Sequence, residues 1–274
     1  MSAFEAIFLG LVQGLTEFLP VSSSGHLVLF RQIFGVNEGS LVFDTMVHVG
    51  TLVAVFAVLR KDILALLKKL NQPMTLYLII GTIPAVLAAL AFQDWLESAF
   101  ETGGFLGFAF LATSAILTTA ELLSKRAASR ELRKPGEMNW KDSLAIGLCQ
   151  AVAVIPGVSR SGATLSGALS RGLNRDLAAR FSFMLSIPVI LGAALYKTIG
   201  LVRHGDPSAY EAGGSGIGPL PMALGMVTAA VVGFFAVRLM LKIVREKSLF
   251  GFAIYTGVLG VLVIVDQFWT KLVF

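Results

Sequence analysis

The chain has 274 residues, of which 55% are hydrophobic and only 14% charged, and its mean hydropathy is +0.79; so much apolar surface excludes a soluble globular domain and points to a polytopic membrane protein. The net charge of +5 does not indicate nucleic acid, because the basic residues fall in short clusters between apolar segments, as topology signals do. A single cysteine, Cys149, excludes an intramolecular disulfide framework and the usual multi-cysteine metal sites, and its apolar neighbours give it a packing role. No cleavable signal is expected, since no basic n-region precedes the first apolar stretch.

In chain order, Phe4 to Leu19 is apolar but short of the roughly 20 residues a spanning helix needs, and Gln13, Glu17 and Pro20 interrupt it. Gln13 and Glu17, four apart, share one helix face. Pro20 is expected to end that helix, leaving Ser22, Ser23, Ser24 and Gly25 as a polar break before His26 to Phe34. Hydroxyls and N–H groups at the start of a helix favour an anion such as phosphate. The two short pieces read as a re-entrant hairpin, which membrane depth tolerates only when buried in protein or lining a wet cavity. Spans are expected at Val42 to Leu59, Met74 to Phe92 and Phe105 to Leu123, followed by a charged loop, Ser124 to Lys141.

The second half opens the same way: Asp142 to Pro156, a polar break from Gly157 to Thr164, then Leu165 to Leu173. The offset of 137 that carries Gly10 to Gly147 also carries Gln13 to Gln150, Ser22 to Ser159, Ser24 to Ser161, Gly25 to Gly162 and Pro84 to Pro221. Phe250 to Ala253 instead resembles Leu106 to Ala109 at an offset of 144. A duplication follows, with repeats 1–137 and 138–274 inside one integral domain, 1–274. Further spans are expected at Phe181 to Tyr196, Leu220 to Val237 and Phe250 to Trp269.

The positive-inside rule places three basic clusters in the cytoplasm: Arg60, Lys61, Lys68 and Lys69; Lys125, Arg126, Arg130, Arg133, Lys134 and Lys141; Arg238, Lys242, Arg245 and Lys247. Asp94, Glu97 and Glu101, and the Gly-rich stretch Lys197 to Pro219, fall outside. Three spans per repeat invert the second copy relative to the first, and Arg171, Arg175 and Arg180 agree. The expected fold is therefore all-α: a polytopic integral membrane protein of two inverted-topology repeats, each a re-entrant helix hairpin plus three transmembrane helices. Its two breaks would meet near the midplane, with Ser22 to His26 facing Ser159 to Thr164.

An arginine at that depth, Arg160, is costly unless it meets an anion, and its planar fork suits phosphate; a fixed pair with Glu17 is the structural alternative. Glu17 has no acidic counterpart in the second repeat and reads as a general base, a metal ligand or the partner of Arg160. His26 reads as general acid or base, nucleophile or helix cap. Ser23 is a nucleophile only if His26 or Glu17 activates it; otherwise the serines are phosphate donors or caps. His48, inside a span, reads as packing, and His204 carries no signal.

At these residues the sequence resembles the undecaprenyl-diphosphate phosphatase family of bacterial membrane enzymes associated with bacitracin resistance. The resemblance runs over essentially the whole chain and rests on three motifs. They are a Glu/Gln-x-x-x-Glu element (Gln13, Glu17), a PVSS-x-GH element (Pro20 to His26) and a PG-x-SRS-x-x-T element (Pro156, Gly157, Ser159, Arg160, Ser161, Thr164). It implies removal of the terminal phosphate of undecaprenyl diphosphate, giving back the carrier lipid of peptidoglycan synthesis, in the bacterial plasma membrane with the site opening to the outer, periplasmic side. It implies Glu17, Ser23, His26 and Arg160 as the catalytic set, with Gln13, Ser22, Ser24, Gly25, Ser159, Ser161 and Thr164 around the substrate. It also implies a divalent cation, Mg or Ca, at Glu17 and Gln13, although an amide at Gln13 brings no charge; no organic cofactor is expected. The implied partners are a polyprenyl diphosphate lipid and membrane lipids, not nucleic acid. A homodimer is a family-based expectation, to which small residues such as Gly192 to Ala194 are suited. The rival class is an inverted-repeat transporter or flippase for a phosphate-bearing lipid or anion. A phosphatase of the type-2 phosphatidic acid class shares the Ser-Gly-His string but needs a second histidine and spaced Lys/Arg partners that are missing here.

Overall fold

The computed structural model describes residues 1–36, 41–127, 135–204 and 217–274. Arg130, Arg133 and Lys134, and 205–216 of the Gly-rich connection, lie outside the described residues. Those described fold into α-helices without any strand: α1 (Ala3–Thr16), α2 (Ser23–Phe34), α3 (Leu41–Val58), α4 (Arg60–Lys68), α5 (Pro73–Ala91), α6 (Gln93–Thr102), α7 (Leu106–Ala127), α8 (Trp140–Val152), α9 (Arg160–Ser170), α10 (Arg175–His204), α11 (Pro219–Glu246) and α12 (Phe250–Val265). Among them α5, α7, α10, α11 and α12 with its terminal π-turn are long and apolar enough to cross a bilayer. The sixth expected span is α3, which breaks at Leu59 and turns by 80° into α4. Arg60, Lys61 and Lys68 are exposed on α4 while Ile63 is buried, so the basic cluster leaves the spanning direction instead of continuing through hydrocarbon.

Large apolar side chains stand outward on the long helices, among them Ile83 and Leu87 on α5, Val227 and Phe235 on α11, and Ile254 and Val258 on α12. In a bilayer that face needs no cover, and close helix approach depends instead on small residues. A Cβ on Gly10 of α1 would lie 2.4 Å from the Gly225 carbonyl oxygen of α11, and one on Gly147 of α8 would lie 2.7 Å from that of Gly81 on α5. Gly10 meets Gly225 while Gly14 meets Ala229 and Gly233, so α1 runs parallel to α11. The Ser143 hydroxyl bonds the Tyr77 carbonyl and Gln150 Nε2 donates to the Gly81 carbonyl at 3.2 Å, so α8 runs parallel to α5.

The ends of the molecule are set by ion pairs. Arg180 of α10 pairs with Asp62 of α4 at 2.7 Å, Arg245 of α11 with Asp176 at 3.2 Å, Arg171 with Asp142 of α8 at 2.9 Å, and Arg175 with Glu121 of α7 at 2.8 Å. At the other end Tyr196 donates to Gln93 (2.7 Å) and Gln267 to the Gly103 carbonyl (2.9 Å). Helix α5 thus starts at the end where α11 finishes, and α1 and α8 enter from opposite ends. Their tips meet inside, over a core containing Phe18, Phe181, Leu185 and Met240.

Helix α1 stops at Thr16 and Pro20 ends it as expected, having no N–H for the Thr16 carbonyl and a ring that would strike that oxygen. One reading of the sequence is corrected. Pro84 lies within α5 whereas Pro221 lies in the first turn of α11, so they are not equivalent. Gly81 and Gly225, separated by the same 144 as the Leu106 and Phe250 segments, hold corresponding places at the two helix crossings.

Candidate functional site

Both hairpin tips use one local device. Ser22 caps α2, accepting the Gly25 N–H at 3.2 Å with Ser24 Oγ 3.4 Å away. Ser159 caps α9, accepting the Gly162 N–H at 3.0 Å with Ser161 Oγ 3.3 Å away. Each cap satisfies a donor that the first helical turn leaves open. The tips then brace one another: Gly157 N–H donates to Ser24 Oγ (3.4 Å) and Ser161 Oγ donates to the Leu19 carbonyl (2.9 Å).

Ser23 and Arg160 are consequently the first residues of α2 and α9, and both reach Glu17. Oε2 of Glu17 accepts from Ser23 Oγ at 2.6 Å and from Gln13 Nε2 at 2.9 Å; Oε1 accepts from Arg160 Nη2 at 2.6 Å. The Glu17 side chain is only 4% exposed. Two positive helix ends and a guanidinium therefore converge on one buried carboxylate, which is the surrounding a phosphate requires. Two polar atoms beside it, Arg160 Nη1 and Gln13 Oε1, are buried without a hydrogen-bond partner. A donor and an acceptor left open at such depth are costly unless a ligand completes them.

His26 lies one turn along α2 from Ser23. Its Nδ1 donates to the Ser22 carbonyl (2.6 Å) and its Nε2 faces the Tyr255 hydroxyl (2.7 Å); Ser23 is bonded to Glu17 instead. His48, read from the sequence as packing, borders the site: Nδ1 donates to the Asp44 carbonyl (2.7 Å) and Nε2 stands 3.6 Å from Glu17 Oε2. Of the remaining expected residues, Thr164 points to the Arg160 carbonyl (2.9 Å) and the Ser182 hydroxyl (2.6 Å). Gly25 makes room for Phe110, whose ring would lie 2.8 Å from an added Cβ. Ser22 and Ser159 are occupied as caps.

For a divalent cation the protein offers Glu17, already bonded on both oxygens, and the open Gln13 Oε1. No group of three His, Cys, Asp or Glu suited to a metal occurs among the described residues. A hard cation takes six or more oxygens, so these residues do not fit a metal held by protein alone.

Comparison with known proteins bears on the same stretch of chain. The family model for bacitracin resistance protein BacA matches residues 6–262. An undecaprenyl-diphosphatase of Carboxydothermus hydrogenoformans is 45% identical over 97% of this chain and 98% of its own. Undecaprenyl-diphosphatases of Halothermothrix orenii and Methanosphaera stadtmanae are 38% and 36% identical, with the same coverage.

Proposed function

This chain belongs to the bacitracin resistance protein BacA family, and we infer that it is an undecaprenyl-diphosphate phosphatase, a membrane hydrolase that returns undecaprenyl phosphate to peptidoglycan synthesis. The transporter alternative is not favoured, because the relatives are named for hydrolysis. The observation that carries a mechanism is the Ser23 hydroxyl donating at 2.6 Å to a carboxylate whose other oxygen holds Arg160.

The terminal phosphate enters on Arg160, through the open Nη1 and then through Nη2 as Glu17 is displaced. Glu17, released from the guanidinium, takes the Ser23 proton, and the Ser23 oxygen attacks phosphorus. The bridging P–O bond breaks and undecaprenyl phosphate departs with that oxygen, receiving the proton from Glu17. Water then attacks the serine phosphate; Glu17 takes a proton from it and returns it to Ser23, and inorganic phosphate leaves. Charge on the transferring group is met by Arg160 and by the positive ends of α2 and α9. A cation, Mg or Ca, brought by the diphosphate would be held on the protein side by the open Gln13 Oε1 and would neutralise phosphate charge.

The two halves are inverted repeats in this reading, supported by the matching Ser22 and Ser159 caps and the two glycine crossings. The site opens to the periplasmic side, supported by the basic belt at the end opposite α6. Timed phosphate release from undecaprenyl diphosphate by the purified protein in detergent tests the function. Stoichiometric release by the wild type and its loss in Ser23→Ala are expected. Intact diphosphate recovered after incubation would return the chain to the transporter class.

A further inference from the structure

We infer that Tyr255 of α12 is a positioning residue for this reaction: by donating to His26 it selects the ring form that holds the strained turn before Ser23. The inference rests on the phosphatase reading for its kinetic consequence and on geometry for its cause. Ser22 has φ +72°, a left-handed value that a non-glycine residue keeps only when its surroundings impose it. Its carbonyl is held twice by one residue, through His26 N–H at 3.2 Å and His26 Nδ1 at 2.6 Å. A carbonyl only accepts, so Nδ1 must carry the hydrogen, and Nε2 of the neutral ring is then bare. The Tyr255 hydroxyl, 2.7 Å from Nε2, is its donor. In the other ring form a bare Nδ1 would face the Ser22 carbonyl and the turn would lose its clamp.

Placement of the phenol is equally specified. The Tyr255 ring lies nearly parallel to His26, at 11° with centroids 5.7 Å apart, while Phe110 meets His26 edge-on at 5.3 Å. Helix α12 is registered on α7 to either side of Tyr255: Ser114 Oγ donates to the Ala253 carbonyl at 2.7 Å and would lie 3.0 Å from a Cβ on Gly257. Tyr255 itself is 47% exposed among outward apolar residues, whereas His26 is 3% exposed. A tyrosine at a lipid-facing position with its hydroxyl turned inward has its polar tip matched to one buried acceptor. The line Tyr255, His26, Ser22 then ends one residue before Ser23, whose hydroxyl must meet Glu17 and phosphorus together.

Tyr255→Phe keeps the stacked ring and removes the donor. Turnover of undecaprenyl diphosphate should fall roughly tenfold with KM within about twofold, the pattern of a group that orients others without binding substrate. Nitrogen-15 spectra of His26 should show only the Nδ1–H form in the wild type and a mixture in Tyr255→Phe. Turnover of Tyr255→Phe within about twofold of wild type, or an Nε2–H ring in the wild type, would overturn the inference. If the wild type itself releases no phosphate, the phosphatase reading fails instead, and the spectra still decide what Tyr255 does to His26.

Discussion

Arg160 holds Glu17 through one nitrogen and leaves the other open, and that asymmetry sets what substitution should do. In Arg160→Lys a single ammonium can keep the Glu17 contact but cannot offer two coplanar donors to a phosphate; phosphate release should drop by roughly a hundredfold or more, and near-normal turnover would remove Arg160 from the phosphate site. Glu17→Gln separates two roles. Removing the charge leaves Arg160 buried without its acid, which destabilises by about 3 to 5 kcal/mol, and it deprives Ser23 of its base, which lowers turnover by roughly a hundredfold. Lipid diphosphate should restore the melting temperature without restoring turnover; a stable Glu17→Gln protein with normal turnover would sink both roles. Gln13, Glu17, Ser23 and Arg160 were legible in the sequence because polar groups at fixed spacing inside apolar runs need partners. His48 and Tyr255 were not, because each is a lone residue in a span, where periodicity reports only which side faces lipid. Their contacts come from how α3 and α12 are docked.

At the scale of the helix, the breaks and spans could be read from composition, yet what locks the helices together could not. Glu121, 1% exposed near the end of α7, accepts from Arg175 of α10 at 2.8 and 3.0 Å and from the Leu249 N–H at the start of α12 at 3.1 Å. In the sequence it is one acid beside a basic cluster. Glu121→Ala leaves the Arg175 guanidinium with only the Val244 and Lys247 carbonyls and frees the Leu249 N–H, so thermal unfolding should show a loss of about 1 to 3 kcal/mol, with phosphate release per folded molecule unchanged; an unaltered melting temperature would deny the lock. The helix crossings give a sharper comparison. A Cβ at Gly10 meets the Gly225 backbone at 2.4 Å, whereas one at Gly251 meets nothing within 4 Å. Gly10→Ala should therefore destabilise by about 1 to 3 kcal/mol through overpacking, and Gly251→Ala should not. The proposed repeat reads as matched residues, but its register is not uniform: 137 aligns the capped tips and 144 aligns the glycines at the crossings.

For the molecule as a whole, the arrangement of charge and the arrangement of hairpins make one joint claim. Asp62, Glu121, Asp142, Asp176 and the arginines they bind lie at a single end, and that end carries Arg60, Lys61 and Arg245, described members of the clusters that the positive-inside rule assigns to the cytoplasm. Helix α1 enters from the other end, so the proposed orientation has the hairpin of Ser23 and Glu17 entering from outside and that of Arg160 from inside. Single cysteines test this in a Cys149→Ala background, at Asp94 of α6 and Lys61 of α4, which are both exposed. Asp94→Cys should react with an impermeant thiol reagent added to intact cells, and Lys61→Cys only after the membrane is opened. Reversed labelling would place the basic belt outside and turn the Ser23 hairpin to the cytoplasm. Phosphate cleaved from the lipid would then be released inside the cell, and the periplasmic opening proposed for the site would be wrong even if its chemistry were right.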